Sequence, residues 1–227
     1  MKLSVIIPVY NENTTIEKVL NIINEVAIDK EIIVIDDGSD DGTREMLQKI
    51  NLNGLKTVFH EKNRGKGAAI RTGLTYVTGD IVLIQDADLE YDPNEYPRLI
   101  QPIVEGKANV VYGSRFLRPL NSHNIYYHFV LGVKLLNLLT YLLYGVKTTD
   151  EATCYKVFKA EVIKNIDLKC EGFEFCPEIT AKVCKKGYTI YEVPTPYIGR
   201  HYHEGKKINW RDGITAIYTL IKYRFTD

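Results

Sequence analysis

The chain has 227 residues, 45% hydrophobic and 26% charged, which fits one large or two small domains with a real core and excludes disorder or a collagen-like repeat. Its four cysteines, Cys154, Cys170, Cys176 and Cys184, form no C-x-x-C pair and have no histidine at zinc spacing. A disulfide framework or zinc ribbon is therefore not expected, and a reducing cytosol fits best. The net charge of zero hides an asymmetry: residues 1–113 carry 12 Lys/Arg against 18 Asp/Glu, and residues 114–227 carry 17 against 11. An acidic half suits a divalent metal, and a basic half suits phosphate groups or an anionic membrane surface; two solvated faces would give the same arithmetic. The N-terminus has no small-residue cleavage site and runs straight into strand-like sequence, so no secretory signal is expected.

Leu3–Val9 is a continuous, largely β-branched run, as in a strand buried on both faces. A helix follows, with Thr14 and Glu17 read as a capping box and Ile16, Val19, Leu20, Ile23 and Val26 at helical spacing. Glu31–Asp36 reads as the second strand, Asp37–Gly42 as a polar turn, and 43–50 as a helix. Further strands are expected at Thr57–His60, Asp80–Gln85 and Asn109–Gly113, with a helix over 66–77. Strands separated by helices require crossovers, hence a mostly parallel sheet flanked by helices. Beyond Gly113 the pattern changes. Residues 125–146 are strongly apolar but interrupted by Lys134, Asn137 and Thr140, a poor membrane span. Cys154–Phe158 reads as a strand, Pro177–Lys186 as a helix opened by proline, and Tyr188–Val193 as a strand. Residues 208–225 read as a final helix with Ile214, Ile217, Tyr218 and Ile221 on one side. No repeat or linker is evident, so a single domain with a C-terminal elaboration is the simplest organisation.

Ligands of such sheets bind beyond the carboxyl ends of the strands. Acidic clusters recur there: Asn11-Glu12, Asp36-Asp37 and Asp86-Ala87-Asp88. Two carboxylates one residue apart after a buried strand can aim at one Mg²⁺ or Mn²⁺, with Glu90 a third oxygen, although short acidic loops are common. The glycines of Val34–Thr43 permit a tight turn near a ligand, and an acid there can accept from a nucleobase or ribose; a plain N-capped surface turn reads the same way. Asn63–Ala69 (NRGKGAA) places cations and glycines before a helix N-terminus, a fair anion site. Ile70 stands where a dinucleotide fingerprint wants a small residue, which weakens a nicotinamide reading. His201 and His203 share a strand face but lack a third ligand, so surface or phosphate-contact histidines are favoured over zinc.

VIIPVYNE (5–12), VIDDGSDDGT (34–43), NRGKGAAIRTG (63–73), QDADLEYDP (85–93) and YGSR (112–115), in this order, together resemble the family 2 glycosyltransferases. TTDEATCYKVF (148–158) and EGKKINWRDG (204–213) extend the resemblance toward the branch of dolichyl-phosphate mannose synthases and bacterial polyprenyl-phosphate glycosyltransferases. The resemblance implies the GT-A nucleotide-diphospho-sugar transferase fold in one domain spanning 1–227, with a nucleotide-sugar and metal half (1–113) and an acceptor half (114–227). It implies that Pro8, Tyr10, Glu12 and Asp37 line the nucleoside pocket, with Lys66 and Asp86 also on the donor. Asp86 and Asp88 would organise metal and diphosphate, with Glu90 a helper, although relatives often carry Gln there. Arg115 and Arg200 would face phosphates through bidentate forks, with Lys206 and Lys207 adding charge. Asp150 matches a position near the acceptor and is assigned a catalytic role; Glu178 is an outside candidate.

The expected reaction is inverting, metal-dependent transfer of a hexose from a GDP-mannose or UDP-glucose type donor to a polyprenyl phosphate such as dolichyl or undecaprenyl phosphate. The enzyme would lie on the cytoplasmic side, peripheral to the membrane, and would not bind nucleic acid. The 125–146 and 208–225 helices would lie in the interface, with Lys134, Lys147, Arg211, Lys222 and Arg224 near headgroups, or instead cover the sheet or form a dimer contact. The alternative is a transferase using a polysaccharide or other hydroxyl acceptor in cell-envelope biosynthesis, where Asp150 as a base would help. A sugar nucleotidyltransferase and a non-catalytic nucleotide-sugar-binding module are weaker alternatives.

Overall fold

The computed structural model describes residues 1–117, 126–200, 207 and 209–227. Seven strands form one sheet: β1 (Leu3–Val9), β2 (Lys30–Asp36), β3 (Leu55–Phe59), β4 (Ile81–Ile84), β5 (Val110–Ser114), β6 (Lys156–Lys159) and β7 (Ile190–Pro194). The helices are α1 (Ile16–Glu25), α2 (Thr43–Lys49), α3 (Lys66–Leu74), α4 (Tyr96–Val104), α5 (Tyr127–Tyr144), α6 (Ala160–Lys164), α7 (Phe175–Lys185) and α8 (Trp210–Phe225). The spatial order is β3-β2-β1-β4-β6-β5-β7. β1 pairs in parallel with β2 and β4, β2 with β3, and β5 with β7; β6 runs antiparallel to β4 and β5. The expected α/β domain with a mostly parallel central sheet is the observed architecture.

Register is what builds a site from this sheet. Leu3 lies opposite Lys30 and Ile81, and Val9 lies opposite Asp36. The carboxyl ends of β1, β2 and β4 therefore fall on one rim. The β1 residues Val5, Ile6 and Ile7 are fully buried, so this strand has no polar face on which to slip by one residue.

Several local expectations change. Thr14 and Glu17 form no capping box. The N-cap of α1 is Thr15 and makes no capping bond; its hydroxyl donates instead to Glu12 Oε2 (2.9 Å) and Ala87 O (3.0 Å), tying the helix start to the rim. A full capping box occurs at α8, where Asn209 and Asp212 exchange bonds. α7 begins at Phe175, so Pro177 lies within its first turn rather than opening it. α4 has no counterpart in the periodicity reading: Pro97 sits in its first turn, where no amide partner is needed, and Pro102 is tolerated inside it.

The C-terminal helices pack on each other and leave apolar residues outward. α8 buries Ala216, Thr219, Leu220 and Tyr223 against α5 and α7, leaving Ile214, Tyr218 and Ile221 exposed. α5 is long and apolar enough, by length and composition alone, to cross a membrane, so the span dismissed from its polar interruptions passes that test. Two of those interruptions are inward contacts. Thr140 is buried and donates to Leu136 O, and Asn137 bonds the 149–151 turn.

At the opposite, amino-terminal edge, Glu31 accepts from Lys2 Nζ (2.8 Å), Ser4 Oγ (2.5 Å), Thr78 Oγ1 (2.6 Å), Thr78 N (2.7 Å) and Gly79 N (3.2 Å). Burial alone would raise its pKa, but these donors outweigh it and hold the carboxyl at about 2, below its ordinary 4.5. A depressed folded-state pKa adds stability that is complete above the unfolded value and lost as pH falls through the folded one. Glu31→Gln should lower stability at pH 7 by about 2 kcal/mol and converge on the wild type as denaturation midpoints are followed from about pH 5 toward pH 2.

Candidate active site

The rim is assembled from three strand ends and a returning C-terminal segment. After β2, Asp36 pairs with Arg44 Nε (3.0 Å). Asp37, 2% exposed, accepts from the amides of Arg64 (3.0 and 3.1 Å) and Gly65 (2.7 Å), and its Oδ1 meets His60 Nδ1 at 2.7 Å. His60 Nε2 in turn meets Thr72 Oγ1 at 3.0 Å. Asp37 is thus the anchor of the 63–65 loop. Gly38 and Gly65 permit this closeness. Gly65 has φ of +94°, and a Cβ there would lie 2.3 Å from Glu171 O; at Gly38 it would lie 2.6 Å from Asn63 N.

The anion site expected at the α3 N-terminus is not available as such. The Gly67 amide donates to Gly172 O (3.2 Å) and the Ala68 amide to Glu171 O (3.0 Å), while the Arg64 and Gly65 amides are spent on Asp37. Charge rather than amides remains: Lys66 Nζ is hydrogen-bonded to Asp86 Oδ1 and lies 3.7 Å from Cys154 Sγ. Burial opposes both charges, yet the pairing prevails, raising the Lys66 pKa and lowering that of Asp86.

Asp88 is 6% exposed and meets Arg200 Nη2 at 2.6 Å. Arg200 Nη1 also reaches Glu12 (3.1 and 3.2 Å), and its Nε lies 3.6 Å from Glu90 Oε1. One guanidinium therefore serves three acids. The balance is incomplete: burial, then the charges of Asp86 and Glu90, push the Asp88 carboxyl up to about 8 against the pull of Arg200. Glu90 accepts from Tyr197 OH and the Arg200 amide, both at 2.7 Å. Glu12 also pairs with Lys207 Nζ at 2.8 Å, and that lysine bonds Tyr10 O. Pro8 and Tyr10 stand half-buried on the same rim. Among the described residues, no three His, Cys, Asp or Glu side chains are arranged to hold a metal ion. Asp86, Asp88 and Glu90 are therefore not a ready-made triad, because Glu90 is turned to Tyr197 and Arg200. Lys206, His201 and His203 lie outside the described residues.

A second charge pair sits beneath the far side of the rim. Arg115, 5% exposed, donates Nε and Nη2 to the two oxygens of Asp150, each at 2.7 Å, and its amide adds a third bond at 3.0 Å. The Tyr197 ring centroid lies 5.0 Å from the guanidinium carbon. Asp150 is fully buried and both its oxygens are taken, so in this arrangement it is not a free base. Glu178 is also fully buried and accepts from the amides of Lys169 and Cys170 and from Lys182 Nζ (2.8 Å each). It braces a loop rather than facing the rim.

Sequence reasoning passed over His60, Thr72, Tyr197 and Glu192, whose side chains hold the site together. Thr72 lies within the 63–73 motif but no role marks it there, and no motif marks His60, Tyr197 or Glu192; their contacts are fixed by sheet order, which spacing does not encode.

An open α/β sheet carrying these acids and cations on its carboxyl rim has the architecture of GT-A glycosyltransferases. Residues 4–167 match the family described as Glycosyl transferase family 2, and the chain belongs to that family and is a glycosyltransferase. It is 30% identical over 235 residues to UDP-N-acetylglucosamine–dolichyl-phosphate N-acetylglucosaminyltransferase of Methanococcus voltae, covering 95% of this chain and 93% of that protein. It is 29% identical to dolichol-phosphate mannosyltransferase of Pyrococcus furiosus, covering 98% of this chain but only 64% of that longer protein. Among solved structures, glucosyl-3-phosphoglycerate synthase of Mycobacterium tuberculosis, in complex with Mn²⁺, UDP and glucosyl-3-phosphoglycerate, superposes with a TM-score of 0.75. Identity is 23%, over 98% of this chain and 79% of that one.

Glu151 generates a test of the buried electrostatics. It is fully buried, and neither carboxyl oxygen finds a hydrogen-bond donor in good geometry among the described residues. Burial raises its pKa despite the nearby Lys156 ammonium. A raised acid pKa means the penalty is absent below the unfolded value and accrues as pH rises. Relative to Glu151→Gln, the wild type should lose stability between about pH 4.5 and pH 7, as read from chemical-denaturation midpoints.

Proposed function

We propose that the chain transfers a sugar from a nucleoside-diphosphate sugar to a phosphate-bearing acceptor, with a divalent cation as cofactor. The observation that carries this reading is the cluster of Asp86, Asp88 and Glu12 on one rim with Lys66 and Arg200 as exchangeable internal counter-ions. The donor set fits a hard cation: two carboxylates one residue apart, one of them with excess negative charge around it. Asp86 and Asp88 would hold the metal, Mn²⁺ or Mg²⁺, with Glu90 acting through Arg200 and Tyr197. When bound, the cation neutralises charge building on the departing diphosphate.

The remaining roles follow from this chain's own groups. Lys66 and Arg200, released from their aspartates, turn toward the diphosphate oxygens, where a preset cation costs little reorganisation. Pro8, Tyr10 and Glu12 line the nucleoside side, over a loop that Asp37 fixes. Residues 1–113 are thereby the donor half, and 114–227 supply the acceptor site while lending Arg200 to the donor diphosphate. The bond from the anomeric carbon to the diphosphate breaks as an acceptor oxygen attacks the opposite face. Arg115, aimed by Asp150, supplies positive charge for the acceptor phosphate.

Two acceptor chemistries have specific support. A polyprenyl phosphate attacks through an oxygen that is already anionic and needs no base, which suits the engaged Asp150. The names of the Methanococcus and Pyrococcus relatives point the same way. So do the exposed apolar residues of α5 and α8, among them Leu135, Leu138, Leu142, Trp210, Ile214 and Tyr218, flanked by Lys134, Lys147, Arg211, Lys222 and Arg224 in a peripheral, cytoplasmic-face placement. A hydroxyl on a phosphorylated acceptor is favoured by the likeness to glucosyl-3-phosphoglycerate synthase; there Arg115 would hold the acceptor's phosphate while another oxygen attacks.

The deciding experiment measures free nucleotide released from UDP- and GDP-sugars with Mn²⁺ or Mg²⁺, with a short polyprenyl phosphate, with phosphoglyceric acid, or with neither. Release requiring one phosphorylated acceptor supports the proposal and names the class; no acceptor-dependent release overturns it. By calorimetry, Asp88→Ala should weaken Mn²⁺-dependent donor binding by about tenfold or more, and an unchanged metal response would remove the aspartates from the metal site.

A further inference from the structure

The 148–151 turn carries Asp150, and its polar groups are gripped from two sides. Glu192 on β7, the edge strand, accepts from Thr148 Oγ1 (2.8 Å), Thr149 N (2.8 and 2.9 Å), Thr149 Oγ1 (3.1 Å) and Asp150 N (3.1 Å). From α5, Asn137 donates Nδ2 to Thr149 O (2.7 Å) and accepts the Glu151 amide at Oδ1 (2.9 Å). Ser114 Oγ meets Thr149 Oγ1 at 2.6 Å, joining the turn to the end of β5 one residue before Arg115. A single carboxylate thus gathers two consecutive amides and two hydroxyls. Four of the five bonds end on Oε1, and the Thr149 amide also reaches Oε2; a glutamine there would hold the Oε1 donors without the help of charge and set an NH₂ donor against the Thr149 amide.

We propose that Glu192 is a positioning residue for Arg115. Its carboxylate sets the backbone of the turn so that Asp150 presents both oxygens to the Nε–Nη2 edge of the guanidinium, and thereby sets where Arg115 offers charge to the acceptor phosphate. This rests on the acceptor role given to Arg115 above. An ion pair made through two parallel bonds is sensitive to angle, and misplacement by about 1 Å can cost on the order of a hundredfold in rate. Glu192 itself touches no substrate in this scheme.

The test compares wild type with Glu192→Gln, which keeps the side chain's size but loses acceptor capacity, and with Glu192→Ala. Two readouts are taken. The first is exchange of the Arg115 Nε–H proton by NMR, which requires no substrate. Bonded to Asp150 and buried, it should exchange slowly in the wild type and about tenfold or more faster in Glu192→Gln, while β1 amides stay protected. The second is kinetics with whichever phosphorylated acceptor the wild type uses, the short polyprenyl phosphate or phosphoglyceric acid. Acceptor KM should rise about tenfold with the donor dissociation constant unchanged, and Glu192→Gln combined with Arg115→Lys should lose less than the sum of the single losses. Unchanged Arg115 exchange in a folded Glu192→Gln overturns the proposal, as does full additivity in the cycle. Should Glu192→Ala fail to fold, the Gln variant decides. A wild type that transfers nothing overturns the functional reading alone, because the NMR readout still decides whether Glu192 positions Arg115.

Discussion

Every buried acid on the working rim is held by a partner from elsewhere in the chain, and the site depends on that compensation. A carboxylate taken out of water costs several kcal/mol unless paired, and here Asp86 is half-buried and Asp88, Glu12 and Asp150 are buried. Lys66 answers the first, Arg200 the next two, and Arg115 the last. The compensation is unequal: burial first, and then the charges of Asp86 and Glu90, leave the Asp88 carboxyl near 8 despite Arg200. A site in this condition is folded but not electrostatically satisfied. In the proposed function, the same charges that stabilise the fold would also serve ligand affinity, the acids toward a divalent cation and Lys66 and Arg200 toward anionic oxygens.

The sheet imposes the second constraint. Parallel pairing of β1 with β2 and β4 aligns three strand ends, while β6 returns antiparallel between β4 and β5. That reversal places the turn before β6, with Asp150, next to the end of β5, with Arg115. The first and second halves of the chain meet because one strand runs backwards. Arg200 then crosses from the second half to Glu12 and Asp88, so neither half is complete alone.

The sequence analysis located what periodicity and strand-end chemistry can show. The bounds of β1 agreed residue for residue, and the recurring acids after β1, β2 and β4 marked the rim. It did not anticipate α4, because Pro97 and Pro102 mask its helical pattern, nor the fate of the glycine-rich loop. Asn63–Ala69 looks like an anion cradle only while its amides are counted as free. Asp37 and the 171–172 carbonyls consume them, and those partners lie 27 or more residues away. Asp150 was found by position, but its engagement by Arg115 is a property of the fold. Glu192 carries no local signal at all, since its four partners belong to a turn more than forty residues earlier.

The C-terminal helices yield the last step. A helix covering a sheet buries its apolar stripe and shows polar residues to water. α5 does the reverse at Asn137 and Thr140, which face inward, while Leu131, Leu135, Leu138 and Leu142 face out. The reason is that α5 packs against α7 and α8 rather than flat on the sheet, and small or hydroxylated residues such as Ala181, Ala216 and Thr140 supply part of those contacts. Its outer leucines therefore contribute little to folding, and an apolar surface of that extent on a soluble face invites an apolar partner. The same rigid helix that shows leucines outward holds the Asp150 turn inward through Asn137. The exposed leucines and the grip on the Asp150 turn are thus two sides of one element, so a contact made on the outer face of α5 has a rigid path to the Arg115–Asp150 pair.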